Sequence, residues 1–126
     1  MIGSAFVAAN ALIRLTYGLA ALTVPSRPLF RAVPLAPDTE QFPEARLFVR
    51  GFASHQVAVA LVGLASLTHR DLRRPAMALA AATDAADIAS AAIEARARAS
   101  LDRDLSGGIA FSGAGLASAL IGLRLS

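Results

Sequence analysis

The chain has 126 residues, room for one domain, and no cysteine, which excludes disulfides, thiolate metal sites and thiol nucleophiles. Hydrophobic residues make up 56% of it and the mean hydropathy is +0.56, well above an ordinary water-soluble domain. The formal charge of +3 rests on 12 basic residues, all arginine, which stand mostly between apolar runs rather than on one polar face and so argue against a nucleic-acid partner.

The first apolar run is AFVAANALIRLTYGLAALTV, Ala5 to Val24. As a helix it is long enough to cross about 30 Å of hydrocarbon. Pro25 and Pro28 end it. It lacks a basic leader and carries Arg14 at its centre, so it reads as a retained span rather than a cleaved signal peptide. A connection follows, PSRPLFRAVPLAPDTEQFPEAR, with five of the six prolines, and no continuous helix can pass through it. Leu29, Phe30, Val33 and Leu35, set between arginines, predict a segment lying at the membrane surface.

The second run is LFVRGFASHQVAVALVGLASL, Leu47 to Leu67, with Arg50, Ser54, His55 and Gln56 loading its first half. THRDLRR makes a short basic turn, and Pro75 is placed for the first position of a third helix over 75–95. That helix is rich in alanine yet holds Asp84, Asp87 and Glu94. RARASLDRDLS forms the next polar turn. The fourth run, Gly107 to Leu123, has Ser106, Ala110, Ala114, Ser118 and Gly122 at every fourth position. Such a small-residue stripe lets a neighbouring helix approach closely in lipid, with packing inside the bundle as its expected role and a homo-oligomer contact through Ala110, Ala114, Ser118 and Gly122 as the alternative.

Soluble helices show an apolar stripe and a charged outer face. The first, second and fourth runs are apolar nearly all round. The expected fold is therefore all-α: one integral membrane domain over residues 1–126, with four transmembrane helices and both termini on one side. The localisation is the cell membrane, multi-pass, with the lipid bilayer as partner. Arg70, Arg73, Arg74 and Arg124 fall on the side of the termini, and Arg27, Arg31, Arg46, Arg96, Arg98 and Arg103 on the other. The positive-inside rule leans toward termini outside, although the short turn is the denser one.

A carboxylate near mid-span costs about 2.5–3.5 kcal/mol to insert. Asp84 and Asp87 therefore need partners, a wet cavity or neutralisation. The first run offers Arg14, with Asn10 and Tyr17 on the same face; the second offers Arg50, Ser54 and His55. The expected arrangement turns Arg14 and Arg50 toward Asp84 and Asp87 in a shared interior, with Glu94 reaching the interface. Structural ion pairs would satisfy the same pattern, but intramembrane ionisable residues tend to mark function.

Two carboxylates beside an arginine and a histidine can hold different protonation states and act as acid and base. In lipid the natural substrates are lipophilic, and epoxide opening or cyclisation suits the group, with Asp84, Asp87, Arg14, Arg50 and His55 as catalytic candidates. Asn10, Tyr17, Ser54 and Glu94 would contact the ligand. A metal site is disfavoured because His55 is the one histidine within a span and no Glu-x-x-His pair is present. No glycine-rich phosphate loop or nucleophile elbow occurs. No cofactor is implied.

The stretch ARLFVRGFASHQVAVALVGLASLTHRDLRRPAMALAAATDAADIAS, Ala45 to Ser90, resembles small bacterial four-helix membrane proteins of unknown function, loosely DoxX-like. The resemblance rests on Arg50-Gly51 opening the second helix and on Asp84 and Asp87 in an alanine-rich third helix, over about a third of the chain. It departs at His55 and Gln56 and in the proline-rich connection. It implies the four-helix topology and little about activity. Three functions stay open: an intramembrane enzyme (an acid/base hydrolase or cyclase) or binder for a lipophilic molecule, a proton-coupled transporter, and an accessory subunit of a membrane complex.

Overall fold

A computed structural model describes residues 2–23, 43–99 and 103–126. They form four helices: α1 (Ile2–Thr23), α2 (Pro43–Thr68), α3 (Arg73–Arg98) and α4 (Arg103–Leu125). One 3-10 turn, Arg70–Leu72, joins α2 to α3. The expected surface segment with Leu29, Phe30, Val33 and Leu35 lies outside the described residues.

The helices run from 22 to 26 residues, or about 33–39 Å at 1.5 Å per residue. Each contains a span long and apolar enough to cross a membrane. The molecule is thus a four-helix bundle of the multi-pass membrane type. The helices outrun the apolar runs at several ends. Arg96 and Arg98, expected in a polar turn, instead fall within α3, which runs to Arg98. Pro75 occupies the third helical position rather than the first, and is tolerated there because first-turn amides have no intrahelical acceptor.

α1 packs chiefly on α2, and α3 on α4. α1 also borders α4, α2 borders α3, and α1 faces α3 across the diagonal. Both termini therefore end on one side, where Gly3 lies against the backbone carbonyl of Leu125.

The buried positions advance in alternating steps of four and three. In α1 they are Val7, Ala11, Arg14, Gly18 and Ala21; in α2, Val49, Ala53, Gln56, Ala60 and Gly63. This is the 3.5-residue period of helices that wind around each other with a left-handed twist. In α4 the seam is Gly108, Ser112, Gly115, Ala119 and Gly122, four of them buried and Gly115 half-buried. It corrects the expected every-fourth stripe. Ser106, Ala110 and Ala114 are exposed, Ser118 is half-buried, and only Gly122 of the stripe is buried. Steps of four overshoot the turn by about 40° each, so such a stripe walks around the helix, whereas four-three steps stay on one line. Gly122 packs against the Met77 sulfur, inside the bundle.

Small and polar side chains fill the interior while large apolar ones face outward. Asn10, Arg14, Gln56, Thr83, Asp84 and Ser112 are buried; Leu12, Ile13, Leu61, Ile93, Leu120 and Ile121 are exposed. A water-soluble bundle has the reverse distribution. Lipid removes the hydrophobic drive to bury leucine, leaving close packing of small residues and interhelical polar contacts to hold the helices together. At the α2–α3 corner, Arg73 Nη2 donates to Leu67 O at 3.2 Å and Nε to Ser66 O at 3.4 Å, covering carbonyls that the end of α2 leaves unpaired.

Candidate functional site

Arg14 stands at mid-α1 and is 6% exposed. Its Nε donates to Asn10 Oδ1 at 2.9 Å, one turn back on the same helix. One Nη1 proton goes to Gln56 Oε1 on α2 at 2.6 Å. Nη2 reaches α3, donating to Ala80 O at 3.3 Å and pairing with Asp84 Oδ2. A guanidinium only donates, so the facing atoms of Asn10 and Gln56 are their oxygens. Four of its five N–H groups are thus engaged, and one side chain ties three helices together. The low-dielectric surroundings make each of these charge-assisted bonds strong and make an unpaired member costly.

Asp84 is 3% exposed. Its carboxylate rests over Gly115 of α4, where an added methyl would stand 2.6 Å from Oδ2 and 3.1 Å from Oδ1. Only glycine leaves that space. Oδ1 receives no hydrogen bond from the described residues.

A second polar group continues along α3. The buried Thr83 hydroxyl donates to Leu79 O at 2.9 Å and lies 3.5 Å from His55 Nε2. That hydroxyl has one proton, so at the longer contact His55 Nε2 is the donor. Asp87 lies within electrostatic range of His55, Asp84 and Arg14, and its buried Oδ2 has no hydrogen-bond partner among the described residues. Tyr17 is within range of Asp87 and packs edge-on to Phe52 (centroids 6.3 Å) and tilted against Phe111 (5.2 Å).

A cavity of about 210 Å³ opens between α1 and α4. Asn10, Arg14, Asp84 and Ser118 form its polar end. Ile13, Phe111 and Ala114, all exposed on the outer face, form its mouth. These residues lie at mid-length of α1 and α4, away from both ends of the helices. The cavity is smaller than the 300–1,000 Å³ of pockets that enclose a whole drug-sized ligand.

Of the residues singled out in the sequence, Arg14, Asp84 and Asn10 meet at this centre. Asp87, His55 and Tyr17 gather one turn further on. Three do not join. Arg50, two turns into α2, is exposed, since it stands beside the Val49–Ala53–Gln56 seam rather than on it. Ser54 is exposed and turns its hydroxyl back to Gly51 O at 2.9 Å. Glu94 is half-buried near the end of α3, ten residues and about 15 Å along the axis from Asp84. Gln56 takes the place expected of Arg50. Gln56, Thr83, Gly115 and Ser118 were not expected as site residues; the four-three spacing from Val49 and Ala53 is the signal that places Gln56. Among the described residues no three metal-ligating side chains converge.

No protein-family model matches the chain, and no curated protein or solved structure is recognisably similar to it.

Proposed function

We propose that this membrane protein, with the cell membrane as its location, binds a lipophilic small molecule whose head enters sideways from the bilayer and docks on Asn10, Arg14 and Asp84. The observation that carries this reading is the cavity itself: buried polar groups at its inner end, apolar side chains at its mouth, and an opening at mid-length of α1 and α4. Apolar walls with a few convergent polar groups are the usual make-up of a small-molecule site.

Chemistry on such a ligand, for instance epoxide opening or cyclisation, needs a proton donor and a proton acceptor at the head. Asp84 is the carboxylate that lines the cavity, and one of its oxygens is held by Arg14. Asp87 stands one turn along, outside the lining. The arrangement supports binding further than it supports turnover.

The test is to purify the protein in mild detergent, extract it with organic solvent and identify co-extracted molecules by mass spectrometry. An Ala114→Phe variant, which fills the mouth from an exposed position, serves as control. A lipophilic compound enriched with the native protein and depleted from the variant supports the reading; equal recovery from both removes it.

Asp87 Oδ2, which has no hydrogen-bond partner among the described residues, favours a second reading, proton-coupled transport, because carboxylates within spans can relay protons. Proton flux into liposomes that Asp87→Asn abolishes would support it. Flux no greater than in protein-free vesicles would exclude it.

A further inference from the structure

The hydrogen-bonding groups left over at the inner end of the cavity define the head that fits there. Arg14 and Asp84 already pair, so the charged groups lining the cavity sum to zero. A carboxylate head would meet Asp84, and an ammonium head would meet the guanidinium; neither is recruited by net charge. What remains is mixed. Asp84 Oδ1 is an acceptor with no donor among the described residues, while Asn10 offers its amide N–H groups and Arg14 one N–H on Nη1. Both kinds stand on residues at most 6% exposed.

Resting on the lipophilic-ligand reading, we infer that the ligand is a lipophilic alcohol, its hydroxyl donating to Asp84 Oδ1 and accepting from Asn10 or Arg14. A hydroxyl is the smallest neutral group that does both. An ether or ketone accepts but cannot donate, and leaves Asp84 Oδ1 desolvated beneath it, a loss that general hydrogen-bond energetics put at about tenfold or more in affinity. Sites with buried polar groups reject analogues that fail to pair with them. Gly115 sets the specificity indirectly, because the carboxylate can face the cavity only while no side chain occupies its resting place.

The chain carries its own reporter. It has one tyrosine and no tryptophan, and that Tyr17 packs 5.2 Å from Phe111 at the cavity mouth. Tyrosine fluorescence of the protein in lipid vesicles is titrated with dodecanol, its methyl ether, dodecanoate and dodecylammonium, with Ala114→Phe run in parallel to remove effects of partition into the bilayer. The expected result is a saturable change with dodecanol, absent from Ala114→Phe, at concentrations about tenfold or more below those needed for the other three. Equal or tighter binding of the ether or of either ion overturns the hydroxyl assignment while leaving a lipophilic site in place. No saturable change with any of the four, or changes identical in Ala114→Phe, overturns both.

Discussion

The carboxylate of Asp84 on α3 rests on the backbone of Gly115 on α4, in a space that a single methyl would fill. That contact and the ion pair to Arg14 on α1 both bear on Oδ2, so the carboxylate is placed by two further helices as well as by its own. Gly115→Ala should push Asp84 off Arg14 and lower stability by about 1–3 kcal/mol, the usual penalty for overpacking. Gly113→Ala, two residues away with nothing within 4 Å of the added methyl, should be neutral or gain up to about 1 kcal/mol from helix propensity. Unfolding in mixed micelles compares them; equal losses would refute the account of Gly115.

Gln56 is 2% exposed and accepts from Arg14 at 2.6 Å. Gln56→Leu preserves the volume approximately but leaves a buried guanidinium N–H unmatched. The expected loss is about 1.5–3 kcal/mol, as for hydrogen bonds to charged groups. His55→Leu, at an exposed position with only a 3.5 Å contact to Thr83, should cost well under 1 kcal/mol. A reversed order in thermal unfolding would mean that His55, not Gln56, belongs to the centre.

Much of this was legible in the sequence, and the rest failed for a definable reason. Four apolar runs gave the bundle, and the insertion cost of Asp84 required an inward cation, which Arg14 supplies. Arg50 was expected beside it and is exposed instead. Residue type alone ranks Arg50 and His55 above Gln56, but direction is decided by the four-three period, and Gln56 is on that line. The α4 stripe went wrong in the same way: every fourth residue is a tempting spacing that drifts around the helix, and the true seam runs through Gly108, Ser112, Gly115 and Ala119. The depth of the cavity was not legible, since it arises where α1 and α4 border each other across almost the whole chain length.

At the end of α3, Ala99 adopts φ 51°, ψ 27°, a left-handed conformation, with its N–H donating to Arg96 O at 3.2 Å. A Cβ is unfavourable there by about 1–2 kcal/mol. Ala99→Gly should relieve much of that and raise the unfolding midpoint by the equivalent of about 1 kcal/mol. An unchanged or lower midpoint would contradict the left-handed cap.

The central claim is that Arg14 and Asp84 pair directly in the interior of the bundle, and a double-mutant cycle measures it. Arg14→Met, Asp84→Leu and the double variant are compared with the native chain by equilibrium unfolding in mixed micelles. Breaking a buried pair from one side costs about 3–5 kcal/mol, and removing both charges recovers most of that. The account predicts a coupling energy near 3 kcal/mol, with each single variant less stable than the double. A coupling no larger than the roughly 0.6 kcal/mol typical of polar contacts between transmembrane helices would contradict it.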